Sequence, residues 1–323
     1  MRKPHVLIIT PALAQANNGN WQTAWRWSRL LQRDYRTTVA SSWQGEGEGE
    51  GADVMLALHA RKSAPSALAW AHKGRAQALA VVLTGTDLYR DIHADESAQR
   101  ALQVAGQLVV LQERGMDALA PALQPKARVI FQSAKRRVTL DKPKRHLRAL
   151  MVGHLRDEKD PETYWRAAAR LMDRPDVLLD HMGAALEPHW RHAAEQTAQR
   201  CPAYRWLGGL PHGQARQHIQ RAHVLVHPSK MEGGAHVILE AVQSGTPVLA
   251  SRIDGNVGML GPHYAGYFAL GDDAALAKLL LRCRDDAAFL PLLRQQCEAR
   301  APLFEPAREQ QLLLQLVKTL VAS

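Results

Sequence analysis

The sequence predicts an α/β protein made of two doubly wound parallel-sheet domains facing a central cleft. The length of 323 residues exceeds the size at which one core usually divides, which favours two domains. Short apolar runs also alternate with helical patterns, as expected for βαβ units. These runs occupy residues 5–10, 54–59, 79–83, 108–111, 129–131, 147–152, 177–180, 224–226 and 247–250.

A basic segment interrupts this rhythm and predicts the domain boundary. We expect a first domain at residues 1–134, a linker at 135–146 and a second domain at 147–304. A final helix at 305–323 is expected to pack back on the first domain. Because ligands bind beyond the carboxyl ends of strands in such sheets, the site is expected where the two sheets face each other.

The charge of +10 is compatible with nucleic acid, a membrane surface or small anionic substrates as partners. The basic residues are dispersed, and one dense run begins at Lys135. Neither zinc-finger spacing nor an RNP-type aromatic motif accompanies it, so nucleic-acid binding is disfavoured. The repetitive loop at 45–51 is expected to be mobile and is assigned no chemistry.

Three cysteines, an odd number without C-x-x-C spacing, fit a reducing compartment. The apolar run after Arg2 and Lys3 is shorter than the ~7–15 residues of a signal-peptide core. No stretch approaches the ~20 apolar residues of a membrane span. The sequence therefore predicts a soluble, cytoplasmic protein.

The most informative passage runs from His227 to Ala250. A strand, a loop with Glu232, a helix and another strand follow in order, and the N–H groups of Gly233, Gly234 and Ala235 would form an anion site. Glu240 lies among apolar helix residues and needs a partner, such as paired ribose hydroxyls. Alternatively, Glu232 complements the helix dipole and Glu240 points to solvent.

The eight-residue spacing of Glu232 and Glu240 resembles the E-x7-E motif of retaining GT-B glycosyltransferases of family 4. The turn at Gly245-Thr246-Pro247-Val248 follows in the expected order. The resemblance implies that Glu232 binds sugar hydroxyls and Glu240 binds the ribose of a nucleotide sugar.

Residues 152–161 resemble the G-R-L-x-x-x-K-G segment of the same family. The resemblance implies that two basic residues neutralise the donor diphosphate. Lys159 matches one of them, and His154 replaces the usual arginine, so the second cationic role is assigned to Arg156. A solvated loop of mixed charge is the alternative interpretation.

In the first domain, residues that follow predicted strands are expected to border the acceptor. Gly19 is expected near the donor phosphates, and the expected acceptor residues are Asn18, Asn20, Thr84, Thr86, Asp87 and Arg90. For Asp87, an Asx turn that caps the next helix is the alternative.

No cofactor or metal is expected, because the sequence has neither a D-x-D motif nor a His/Cys cluster of ligand spacing. Lys159, Arg156 and the helix amides would then stabilise the departing diphosphate. No convincing His/Asp base pair is predicted in the first domain.

Gly234 stands where the family often has a bulky residue, and residues 131–134 replace its usual P-N-G-V-D segment. With the segments at 18–21, 83–91, 153–161, 228–245 and 251–261, the chain is similar to the selenosugar synthases. That likeness implies UDP-N-acetylglucosamine or UDP-glucose as donor and selenophosphate as acceptor. Candidate cations at the acceptor side are Arg61, Lys62, Arg90 and Arg136.

Two alternatives remain open. A conventional family 4 enzyme acting on a sugar or lipid carrier would use a basic amphipathic helix, for which residues 21–33 are the candidate. The chain could instead be a non-catalytic protein that binds nucleotide sugars or nucleic acid. No stable membrane association is expected, and the sequence leaves the oligomeric state open.

Overall fold

The computed structural model describes residues 2–12, 19–45 and 47–322. Contacts divide the chain into two compact units. The first comprises Met1–Gln132, Glu232–Gly234 and Pro306–Ser323, and the second comprises Ser133–Met231 and Ala235–Glu305. The basic segment predicted as a linker therefore lies in the second unit.

Strands and helices alternate along the chain. In the first part they are β1 (His5–Ile9), α1 (Gly19–Leu31), β2 (Arg36–Ala40), β3 (Val54–Leu58), α2 (Ala64–Trp70), β4 (Leu79–Leu83), α3 (Ile92–Ala94), α4 (Glu96–Val104), β5 (Gln107–Val110) and β6 (Ala127–Val129). They continue with β7 (Leu147–Val152), α5 (Pro161–Arg170), β8 (Val177–Met182), α6 (Pro188–Arg200), β9 (Tyr204–Trp206), α7 (His212–Arg221), β10 (Val224–His227), α8 (His236–Val242), β11 (Val248–Ser251), α9 (Asp254–Leu260), β12 (Tyr267–Phe268), α10 (Asp273–Asp285), α11 (Phe289–Arg300) and α12 (Pro306–Ala322).

The sheet of the first unit is parallel throughout, in the order β2-β1-β3-β4-β5-β6. Alternate side chains of each strand enter different cores, so Leu7 packs with α2 and α4 residues. Its neighbour Ile8 packs with α1 and α12 residues. The strand order reverses between β1 and β3, which makes the carboxyl ends of these strands the expected ligand-binding edge.

The sheet of the second unit is also parallel, in the order β12-β11-β10-β7-β8-β9. Here the order reverses between β7 and β10. The loops after these two strands therefore begin side by side at the topological switch point. The predicted class of two parallel-sheet α/β domains is confirmed.

A buried carboxylate joins α12 to α1 within the first unit. Glu309 is fully buried and accepts the indole N–H of Trp27 at 2.7 Å. The Nε–H of Arg26 donates to the same carboxylate, 3.0 Å from Oε2. A buried carboxylate requires such donors, so this contact fixes the register of the two helices.

Among residues 2–12, 19–45 and 47–322, no helix combines the length and the apolar character needed to cross a membrane. The three cysteines are free and buried.

Candidate functional site

Two loops of the second unit meet at the switch point. One follows β7 and begins at Gly153, and the other follows β10. The Lys230 ammonium lies 2.6 Å from Asp157 Oδ1, and the Lys230 backbone N–H donates to the Glu158 carbonyl at 2.9 Å. Lys230, which the sequence did not single out, therefore ties the two loops together.

The Lys159 side chain lies across the backbone of Gly153. A Cβ placed on Gly153 would be 3.4 Å from Cγ and Cδ of Lys159. The next residue, Asp160, has a left-handed backbone with φ of 48° and accepts a hydrogen bond from Thr163 to cap α5. This turn positions Lys159 over the start of the loop.

The other two predicted diphosphate ligands are exposed. The Ala184 N–H donates to His154 Nδ1 at 3.2 Å. Partial desolvation of the ring and the charges of Arg156 and Lys159 lower the pKa of His154 below its ordinary value of 6.5. His154 is thus held as a neutral imidazole whose Nε2–H is a donor, whereas Arg156 lies 3.8 Å from Glu158.

The residues predicted to form an anion site lie in the segment before α8. The helix begins at His236 with Ala235 as its N-cap, so Gly233 and Gly234 precede the helix instead of forming its first turn. Glu232 is 9% exposed. Within the first unit, a Cβ on Gly233 would lie 2.3 Å from the carbonyl carbon of Thr84, so only glycine fits there.

Glu240 is 2% exposed and has three partners. Its Oε1 lies 2.6 Å from His212 Nε2, 3.5 Å from His236 Nε2 and 3.6 Å from a guanidinium nitrogen of Arg216. Burial acts to raise the pKa of the Glu240 carboxyl. The hydrogen bond from His212 and the charges of His236, His212 and Arg216 outweigh it, so the pKa lies below the ordinary 4.5. The expectation that Glu240 could point to solvent is wrong.

The same cluster could hold a metal ion. His212, His236 and Glu240 offer ligand atoms that all lie within 4.8 Å of one another. Two imidazoles and a carboxylate form a known zinc ligand set. This cluster has no ligand spacing in the sequence, because His212 approaches from a different helix, 28 residues before Glu240. The expectation that no metal is bound stays a prediction. The nearby Arg216 charge opposes a cation at this position.

In the first unit, Asp87 hydrogen-bonds two loops at the carboxyl ends of β3 and β4. It is fully buried, and Oδ2 accepts the Ala60 N–H at 2.8 Å while Oδ1 accepts the N–H groups of Thr84 and Gly85 at 2.8 Å. A π-helical turn, Asp87–Asp91, follows. These bonds indicate that Asp87 holds the loops after β3 and β4 in place.

His59 lies next to Asp87 and was not among the predicted site residues. Its φ of 72° is unusual for a side chain larger than glycine, and it is 3% exposed. Its ring nitrogens lie 4.0 Å from Asp87 and 3.9 Å from Asp91. These distances exceed hydrogen-bonding range, so His59 lies near two aspartates without forming a hydrogen-bonded pair, and the expectation that the first domain has no such base pair stays a prediction. A polar residue directly after β3 was the available signal.

The tautomer of His59 follows from its hydrogen bonds. The Lys62 backbone N–H donates to Nδ1 at 3.4 Å, which leaves the proton on Nε2, 3.1 Å from Thr86 Oγ1. Burial lowers the pKa of His59, although Asp87 and Asp91 act in the opposite direction. Thr86 therefore accepts from His59, and its own hydroxyl proton remains available to another acceptor.

Further predicted acceptor residues lie at or near this carboxyl edge of the sheet. Asp91 binds Arg61 at 2.9 Å and Arg90 at 3.1 Å, and both guanidinium groups are partly exposed. Gly19 and Asn20 form the first turn of α1 instead of preceding it. Asn18 lies outside the described residues. Arg136 belongs to the second unit, where it pairs with Glu298.

Two parallel-sheet units of this topology define a GT-B glycosyltransferase fold. The chain matches the family described as Glycosyl transferases group 1 over residues 132–302, more than half of its length, and belongs to that family.

A curated relative, Glycosyltransferase 1 domain-containing protein 1 of Xenopus tropicalis, is 31% identical over 112 residues. That match covers 34% of this chain and spans only 32% of the relative.

Solved structures match nearly the whole chain at low sequence identity. Sucrose-phosphate synthase from Thermosynechococcus elongatus is 18% identical with a TM-score of 0.78, covering 99% of this chain and 100% of its own. Anabaena HepE in complex with UDP and glucose is 15% identical with a TM-score of 0.77, covering 98% and 100%. The pneumococcal O-GlcNAc transferase GtfA, in complex with UDP and GlcNAc, is 17% identical with a TM-score of 0.68, covering 83% and 57%. These likenesses establish the fold.

Proposed function

We propose that this glycosyltransferase takes a UDP-sugar as donor, in the manner of family 4. The observation that carries the proposal is Glu240, an almost fully buried carboxylate with a lowered pKa. It lies on α8, the helix that follows the switch-point loop after β10. An ionised carboxylate there can accept hydrogen bonds from paired ribose hydroxyls. The UDP held by HepE and by GtfA supports a uridine donor.

The remaining donor residues are assigned by charge and position. Lys159 and Arg156 neutralise the leaving diphosphate, assisted by the neutral His154 donor and by the amides of Gly233, Gly234 and Ala235. In this proposal Glu232 binds the sugar hydroxyls and Gly19 lies near the donor phosphates. Protein charge replaces a metal ion in stabilising the departing UDP.

The proposed acceptor is selenophosphate, with UDP-N-acetylglucosamine or UDP-glucose as donor. The anomeric carbon–oxygen bond breaks as UDP leaves, and a selenium lone pair forms the carbon–selenium bond. Selenium carries no proton at that point, so the reaction needs no general base. A Thr86 hydroxyl whose proton remains available suits an anionic acceptor. Asn18, Asn20, Thr84 and Arg90 complete the proposed acceptor residues. The buried Asp87, also predicted there, supports them by holding the loops after β3 and β4.

The test is incubation of the purified protein with UDP-N-acetylglucosamine or UDP-glucose and selenophosphate. We expect acceptor-dependent release of UDP and a selenium-containing sugar in the mass spectrum. Glu240→Gln should suppress both, while the exposed-site variant Lys278→Ala should not. Absence of UDP release with every nucleotide sugar would overturn the enzyme proposal, and release only with glycan acceptors would overturn the selenium step.

One observation favours the conventional acceptor as a second candidate. Trp25 of α1 is 48% exposed and lies under the Arg29 guanidinium at 5.5 Å, whereas Trp27 is buried. One exposed tryptophan beside arginine suits the surface of an anionic membrane. Flotation with anionic vesicles distinguishes the two, because binding that Trp25→Ala abolishes would favour a lipid-carrier acceptor.

A further inference from the structure

The Glu240 carboxylate is held asymmetrically. The shortest approach of His212, of His236 and of Arg216 goes in each case to Oε1, at 2.6, 3.5 and 3.6 Å. None of these three side chains makes its closest contact with the second oxygen, Oε2. Among the described residues, the hydrogen bond to this carboxylate goes to Oε1, so Oε2 can accept from a ligand.

The three partners differ in what they can be expected to do. Arg216 is 7% exposed and also donates to the Lys135 carbonyl at 2.9 Å, which fixes its position within the unit. His236 shares α8 with Glu240, four residues earlier, and lies beyond hydrogen-bonding distance. Only His212 both makes a short hydrogen bond and approaches from another helix.

His212 is suited to orient the carboxylate plane. It is the first residue of α7, its side chain is 52% exposed, and its Nε2 must carry the proton that Glu240 Oε1 accepts. A glutamate χ3 torsion is broad and has no strong preference of its own. A single short bond to Oε1 therefore decides where Oε2 points.

We propose that His212 is a positioning residue that turns Oε2 of Glu240 toward the vicinal hydroxyls of a furanose, so that the site selects ribonucleotides over deoxyribonucleotides. The inference rests on the proposed donor role of Glu240. His212 itself does not touch the ligand, and its effect passes entirely through the carboxylate.

The test compares UDP with 2′,3′-dideoxy-UDP by calorimetry. Wild-type protein should prefer UDP, and His212→Ala should weaken UDP binding about tenfold, or about 1.4 kcal/mol, while leaving dideoxy-UDP unchanged. His212→Gln, which retains an N–H donor, should restore part of the preference. Gln214→Ala, an exposed change in the same turn of α7, is the matched control, and thermal unfolding checks that each variant folds.

The outcomes separate this inference from the proposed function. If wild-type protein binds neither nucleotide, or does not prefer UDP, the donor role of Glu240 fails and the inference fails with it. If wild type prefers UDP and His212→Ala keeps that preference, or loses both nucleotides equally, only the His212 inference is overturned.

Zinc provides a further discriminating measurement, because the same cluster offers a zinc ligand set. Titration of the nucleotide-free protein with Zn²⁺ alone should show no site that depends on His212, since the Arg216 charge lies 3.6 Å from Oε1. Stoichiometric, micromolar Zn²⁺ binding that His212→Ala abolishes would assign the cluster to a cation and overturn the positioning role.

Discussion

At the scale of single residues, the polar groups of the proposed site are held by contacts with nearby side chains and backbone groups. Lys159 lies over Gly153, Glu240 is held by His212, and Asp87 by backbone N–H groups from two loops. Each contact fixes a charge or a donor before any ligand arrives, which is the condition for electrostatic catalysis.

Lys159→Ala should lower kcat about 100- to 1,000-fold with a smaller effect on KM, because developing charge on the diphosphate loses its counter-charge. Steady-state UDP release measures both constants. Lys159→Arg should retain part of the activity. Lys278→Ala, an exposed change on α10, controls for loss of net charge. Unchanged turnover in Lys159→Ala would remove its assigned role.

Thr86→Val should raise the acceptor KM about tenfold, because one available hydrogen-bond donor is lost. The donor KM should stay constant, and Thr86→Ser, which keeps the hydroxyl, should behave like wild type. The measurement is initial rate against acceptor concentration at saturating donor. An equal rise in both KM values would show that Thr86 acts on the fold instead of on the acceptor.

His181 should make the free energy of unfolding depend on pH. Burial lowers its pKa to about 3. The folded-state pKa is thus below that of the unfolded chain. The contribution of neutral His181 to the free energy of unfolding is therefore fully present above about pH 6.5 and is lost as pH falls, because the unfolded chain takes up the proton first. His181→Gln should flatten this decline by up to about 1.4 kcal/mol per pH unit. Urea unfolding of both proteins at pH 7 and pH 5 measures this dependence. An equal loss of unfolding free energy between the two pH values in wild type and variant would contradict the prediction.

At the scale of secondary-structure elements, two contacts bring distant parts of the chain together within their units. The first is between the loops after β7 and β8. A Cβ on Gly183, directly after β8, would be 1.8 Å from the Gly153 carbonyl oxygen, so the loops after β7 and β8 require glycine to pass so closely. The second contact is that of α12 with α1 through Glu309.

Glu309→Ala should destabilise the first unit by about 3–5 kcal/mol, because Arg26 loses the carboxylate that pairs with its partly buried charge. Differential scanning calorimetry should resolve the loss. Glu305→Ala, an exposed change just before α12, should leave the transition unchanged. Equal behaviour of the two variants would mean that apolar packing alone holds α12.

Element positions were largely predictable, because short apolar runs and helical patterns are local properties of the chain. The nine predicted apolar runs overlap β1, β3, β4, β5, β6, β7, β8, β10 and β11. The predicted runs did not include β2, β9 and β12. Two of these, β9 and β12, contain only three and two residues, and β2 (Arg36–Ala40) contains three polar residues.

At the scale of the whole molecule, the charge of +10 is the property with a direct functional consequence. If both substrates are anions, raising NaCl from about 50 to 500 mM should increase the KM for the UDP-sugar several-fold through screening. Thermal unfolding at each salt concentration checks that the fold is intact. A KM independent of salt would mean that only short-range contacts recognise the donor.

The sequence by itself determined the α/β class, the presence of two sheets and the Glu232–Glu240 spacing. These properties follow from length, periodicity and motif order, which are local. His236 was also accessible in principle, because it stands one helical turn before Glu240.

Only the tertiary structure decided what surrounds each charge. The hydrogen bond between His212 and Glu240 joins residues 28 positions apart, and the bond from the Ala60 N–H to Asp87 joins residues 27 positions apart. The assignment of Glu232–Gly234 and α12 to the first unit likewise depends on contacts between distant segments. A linear pattern specifies which face of an element is buried but not which element covers it. The partners of a buried carboxylate therefore emerge only when the chain is folded.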